Sequence, residues 1–152
     1  MAINHNAYMK LALSEAQKAD EKAEIPIGAV LVSQAGDILA ASHNQTISLS
    51  DPTAHAEILV LRKAAHQTQN YRLLNTILYV TIEPCVMCMG ALVHARISIL
   101  VYGAKDPKWG AAGSLYDLAD DIRLNHRVEV IAGICEDECR ALMQNFFRSK
   151  RK

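Results

Sequence analysis

The chain has 152 residues, 51% of them hydrophobic, which suffices for one domain with its own core and is short for two. Its 16 Lys and Arg balance 16 Asp and Glu, so the formal net charge of zero excludes a broadly basic nucleic-acid binder and leaves any polyanion to a local patch. No run approaches the roughly 18 apolar residues of a membrane span, and the opening MAINHNAYMK has no apolar stretch like a secretion signal, so a cytoplasmic protein without a membrane partner is expected.

From Asn6 to about Glu24 the apolar positions Tyr8, Leu11, Ala12, Ala16 and Ala19 share one helical face, with lysines and acids opposite. IPIGAVLVS, from Ile25, reads as a strand, and a turn at Gln34 to Asp37 leads into DILAASHN as its hairpin partner. TAHAEILVLRKAAHQ is helical by the spacing of Ala54, Ile58, Leu61 and Ala65, with Asp51 and Pro52 as its start signal. TILYVTI is a buried strand, CVMCMGALVHA a short helix and ISILVYGA another strand. RVEVIAG makes a fifth strand, and a last helix runs from about Cys135. Strands alternating with helices in the second half, after an antiparallel pair, predict a three-layer α/β/α domain over 1–152. Its mixed five-stranded sheet is covered on both faces. The long irregular stretch AKDPKWGAAGS, 104–114, is expected to border a functional site.

Two features fit this frame poorly unless they carry chemistry. His55 and Glu57 stand in the first turns of a helix otherwise built for burial, and EPCVMC, 83–88, opens the next helix with two cysteines. A Cys-X-X-Cys turn lets both sulfurs face one point, and a helix N-terminus favours the thiolate that a metal requires. Zinc takes four donors, and His55 is the readiest third, which leaves one corner open for a water that the metal acidifies. Glu57 is the candidate to move that water's protons. One difficulty is geometric: on an ideal helix positions i and i+2 point about 200° apart, so both side chains cannot face one ion squarely. Alone, a histidine at a helix start reads as a cap and a Cys-X-X-Cys as a redox pair. Together, with a strand between them, they match the H-x-E and P-C-x-x-C signature of zinc deaminases that act on nucleobases.

IPIGAVLV, His43-Asn44, DPTAHAEI, NYRL, LYVTIEPCVMCMGA, GAKDPKWGAAGSLYDL, NHRVEV and FFRSKRK occur in an order and spacing that resemble the bacterial tRNA-specific adenosine deaminases, the TadA family, across nearly the whole chain. The resemblance implies a cytidine-deaminase-like fold with one zinc per subunit on His55, Cys85 and Cys88, and Glu57 as the proton carrier. It implies hydrolytic attack at C6 of adenine, loss of ammonia, and inosine at the wobble position of a tRNA anticodon, by a homodimer. Asn44 matches the position whose amide contacts the edge of the flipped purine, and Ala54 lines the same pocket. Asp106 and Lys108 fall in a loop that the resemblance places near RNA. Lys108-Trp109 departs from the smaller residues of the familiar pattern.

The other readings stay open beside these. Asn44 suits a turn after a strand, and a charged loop is ordinarily just solvated. Arg148, Lys150, Arg151 and Lys152 form a basic cluster suited to phosphates and equally to a helix C-terminus. Arg148 is the one assigned to RNA. Phe146 belongs to a core stripe with Cys139, Leu142 and Met143, so Phe147 is the stacking candidate. Cys135 and Cys139, one turn apart, read as buried or free thiols. A deaminase of a free base or nucleoside, guanine or cytosine, is the nearest alternative, and a zinc-stabilised RNA-binding scaffold the next.

Overall fold

A computed structural model describes residues 3–151. The elements in chain order are α1 (His5–Glu21), β1 (Gly28–Ser33), β2 (Ile38–His43), α2 (Ala56–Thr68), β3 (Thr76–Ile82), α3 (Val86–Ala95), β4 (Ile99–Ala104), β5 (Glu129–Ala132) and α4 (Glu136–Lys150). They form one five-stranded sheet in the order β2-β1-β3-β4-β5. β1 is antiparallel to both β2 and β3, and β3, β4 and β5 run parallel.

The sheet separates two cores, and the alternation of side chains along each strand decides which residue enters which. Ala29, Leu31, Leu78, Val80 and Leu100 meet α2 and α3 through Val60, Ala64, Met89 and Leu92. Val30, Val32, Ile77, Tyr79 and Val101 point the other way, to Met9, Ala12 and Leu13 of α1 and Cys139 of α4. All seven residues of β3 are buried, as a central strand covered on both faces must be. Tyr79 brings a hydroxyl into this interior and satisfies it against His5 Nδ1 at 2.7 Å. Gly28 lets β1 lie directly on α1, since a Cβ there would stand 2.0 Å from the Ala12 carbonyl oxygen.

The expected architecture holds, and several boundaries move for local reasons. α1 stops at Glu21 rather than near Glu24, with Ala23 in a left-handed conformation and the Glu24 N–H turned back to Ala19 O. β1 begins at Gly28 rather than Ile25 because Pro26 has no N–H to give a ladder and the Ile27 N–H bonds back to Ile25 O. α2 starts at Ala56, not Thr53: Asp51 accepts from the Thr53 N–H and hydroxyl in a turn of its own. Cys135 is the left-handed residue before α4, with φ of 55°. Among the described residues no helix is long and apolar enough to cross a membrane.

Candidate active site

Two helices begin at the same place. The residue before α2 is His55 and the residue before α3 is Cys85, both in extended conformation. His55 is therefore not on the helix at all, and the conflict between His55 and Glu57 dissolves: the imidazole leaves from extended backbone while Glu57 leaves from the first turn. β3 delivers Cys85 to the same end of the sheet, and one turn of α3 adds Cys88. His55 Nδ1 lies 3.7 Å from Cys85 Sγ and 3.5 Å from Cys88 Sγ.

These three can hold a metal ion, with one donor atom each and all donors within 4.8 Å of one another. A tetrahedral ion bonded at about 2.3 Å to sulfur and 2.0 Å to nitrogen sets nitrogen–sulfur separations of about 3.5 Å, which the two distances match. The electrostatics agree. Cys88 and His55 stabilise the Cys85 thiolate and bring its thiol down to about 4, whereas Cys85, burial and the nearby Glu57 push Cys88 up. Two thiols and a carboxylate crowded on one imidazole oppose one another's ionisation, and a divalent cation is what lets them ionise together.

Glu57 is 4% exposed, and its Oε1 is buried with no hydrogen-bond partner among the described residues. Burial pushes its carboxyl up to about 7, against the pull of His55. An orphaned carboxylate oxygen costs stability unless its site uses it.

His55 and Cys85 open into a cleft of about 960 Å³ whose lining also includes Asn44, Glu57, Asp106 and Phe147, with Cys88 buried behind them. Asn44 is buried and follows β2, its N–H bonded to Ile27 O at 3.0 Å. Asp106 lines the cleft while its Oδ1 accepts from the Lys108 and Trp109 N–H groups. Arg140, Met143, Gln144 and Phe147 form one helical stripe of α4 along the wall, continued by Arg151 just past its end, and Arg148 stands exposed one residue off it. Phe146 is buried edge-on against Phe147, as the core stripe predicts. Ala54 is fully buried and is not on the cleft surface; its carbonyl accepts from the Gln45 N–H, which ties the two walls behind Asn44. Lys152 lies outside the described residues.

Two carboxylates escape the reading of the sequence. Glu24 is completely buried and accepts from the Ile47 N–H, the Ser48 N–H and the Ser48 hydroxyl, which pins the segment after Asn44. Glu83, 3% exposed, does the same for the loop 106–114. Glu83 had one visible sign, a charge wedged between a largely apolar strand and a cysteine-bearing helix; Glu24 had none.

Comparison with known proteins sorts this arrangement. A profile of the MafB19-like deaminases matches residues 3–151. The tRNA-specific adenosine deaminase of Haemophilus influenzae is 51% identical over 144 residues, covering 95% of this chain and 83% of that protein. The chain belongs to the family of the tRNA-specific adenosine deaminases. A solved tRNA deaminase from a study of A-to-I editing at the wobble position superposes on this family member with a TM-score of 0.86 at 46% identity, covering 90% of this chain and 98% of that one. The guanine deaminase of Nitrosomonas europaea, 22% identical with a TM-score of 0.82 over 96% of this chain and 86% of that one, shares the fold.

Proposed function

We propose that this protein is a zinc-dependent hydrolase that converts adenosine to inosine at the wobble position of a tRNA anticodon, with 1–152 acting as one deaminase domain. The observation that carries the proposal is the buried carboxylate of Glu57, whose Oε1 has no hydrogen-bond partner among the described residues and which lines the same cleft as His55 and Cys85, with Cys88 completing the donor set behind them. The identity with relatives that edit tRNA supports the substrate.

His55, Cys85 and Cys88 would hold the zinc, leaving a fourth position open. When bound there, the ion supplies the Lewis acidity that brings a water's pKa toward neutrality. Glu57 takes a proton at Oε1 and returns it to the purine, a role suited to a carboxyl raised to about 7. Asn44 offers an amide to the purine edge from a rigid strand end, and the buried Ala54 backbone keeps that wall in place. Proton transfer in this cleft gains from fixed groups and from exclusion of bulk water.

The cleft is larger than one purine needs, and its rim carries Lys105, Lys108, Arg140 and Arg151, which suits a phosphate chain. Asp106 shapes that rim, Phe147 is the stacking surface for a loop base, and Arg148 is the phosphate contact from the next position of α4. Val86 and Met87 are apolar, exposed and beside the metal donors, a surface that the second subunit of a homodimer would cover. Such an enzyme works in the cytoplasm.

The fold shared with a guanine deaminase favours a second reading, deamination of a free base such as guanine or cytosine. Ammonia release from a tRNA with adenosine at the wobble position, measured beside free adenosine, cytidine and guanine, separates the two. Turnover of the tRNA alone is expected. Turnover confined to a free base overturns the proposal, and zinc binding without any ammonia release would leave a scaffold.

A further inference from the structure

Glu83 follows the last residue of β3 and precedes the Pro84-Cys85 step into α3. Its Oε1 accepts from the Asp106 N–H at 3.1 Å and from the Ser114 hydroxyl. Its Oε2 accepts from the Ala112 and Ser114 N–H groups, both at 3.0 Å. All four donors belong to one loop, and none belongs to the strand or helix beside the glutamate.

The loop is wound to fit that carboxylate. A Cβ on Gly110 would stand 2.4 Å from Glu83 Cδ, so only glycine lets the backbone pass. The Gly110 N–H bonds to Asp106 O at 2.8 Å, and its carbonyl accepts from Leu115 and Tyr116. The Ala111 N–H returns to Pro84 O at 2.8 Å. Residues Lys105, Asp106, Lys108, Trp109, Leu115 and Tyr116 of the same segment line the cleft. One buried side chain, two residues from a metal donor, therefore fixes one wall of the substrate cleft.

We infer that Glu83 is a positioning residue that sets the 105–116 wall for the RNA substrate and acts on substrate binding rather than on the chemical step. The inference rests on the deaminase reading above. Four converging donors call for a side chain whose two oxygens both accept, and a carboxylate supplies them. A glutamine of the same shape would turn its NH2 towards at least one of these donors, leaving buried N–H groups unpaired. The wall would then be looser while His55, Cys85, Cys88 and Glu57 stay in place.

Trp109 is the only tryptophan of the chain, sits in this loop and is 69% exposed, so its fluorescence reports on the wall alone. For Glu83→Gln we expect zinc content as in the parent, greater acrylamide quenching of Trp109, and KM for an anticodon stem-loop raised roughly tenfold or more with kcat within about threefold. Ser114→Ala removes a single donor and should shift both readings the same way by less. Gly110→Ala, which forces the backbone off the carboxylate, should resemble Glu83→Gln.

Parent-like KM and quenching in Glu83→Gln overturn the inference, as does a fall in kcat at constant KM, or loss of zinc. Should Glu83→Gln not fold, unchanged KM and quenching in both Ser114→Ala and Gly110→Ala overturn it equally. A parent protein that releases no ammonia from the stem-loop defeats the functional reading instead, and the Trp109 quenching still decides whether Glu83 holds the loop.

Discussion

Glu57 sits where an ordinary glutamate does not, buried beside the cleft with one oxygen that has no partner among the described residues. Replacing it should not harm the fold, because removing an orphaned polar group relieves a desolvation cost. Glu57→Ala is expected to keep its zinc and thermal stability and to lose turnover by about 10²–10⁴-fold, the usual worth of a positioned proton carrier. Metal analysis and ammonia release on the same sample check both halves. Cys85→Ala should fail differently, by losing the ion, since a coordination bond and not a proton path is removed. The group able to hold the ion was legible in the sequence because His55, Cys85 and Cys88 each stand at a helix start and the two cysteines keep metal-ligand spacing. What spacing could not give was the direction of His55. Asp51 and Pro52 imitate a helix start, and only the turn closed on Asp51 shows that α2 begins after the histidine.

Loops on either side of the cleft depend on carboxylates whose partners are distant in sequence, and for that reason composition and periodicity are silent about them. Glu24 reaches 23 and 24 residues ahead to Ile47 and Ser48, and Glu83 reaches 23 to 31 residues ahead to Asp106, Ala112 and Ser114. Burial opposes ionisation of Glu24, but the hydrogen bonds from Ser48 and Ile47 outweigh it and hold the carboxyl below its ordinary value of 4.5. A carboxyl depressed in the folded state stabilises the fold above its unfolded value, and that contribution is lost as pH falls through the folded one. Glu24→Gln should therefore melt several degrees below the parent at neutral pH. The gap should close as the pH drops below about 4.5 and the parent's own carboxyl takes up its proton. A gap that persisted undiminished in acid would mean that the glutamine fails for reasons of packing. Thermal melts across the pH series supply the comparison.

Across the whole fold, the five-stranded mixed sheet covered on both faces was readable because strands alternate with helices after an antiparallel pair, and the largely apolar β3 and β4 announce strands buried on both sides. The tight seat of β1 on α1 was not readable, because it depends on the missing side chain of Gly28 and the carbonyl of Ala12, whose approach no pattern records. Gly28→Ala should cost about 1–3 kcal/mol or more, the range for overpacking a dense interior, and urea unfolding measures it. A bound ion would also tie α2 to α3, which begin at the shared donor set and pack on one another. Chelation is accordingly expected to lower the melting temperature of the entire domain as well as to abolish activity. A melt indifferent to the chelator would separate the ion from the fold.

His55, Cys85 and Cys88 would hold the metal through one nitrogen and two sulfurs. X-ray absorption at the zinc edge of the purified protein measures that donor set directly. It should show two sulfurs at about 2.3 Å and two lighter donors at about 2.0 Å, at one ion per chain. A shell of four sulfurs, a shell of oxygens alone, or a Glu57→Gln variant whose shell loses a light donor would contradict that assignment.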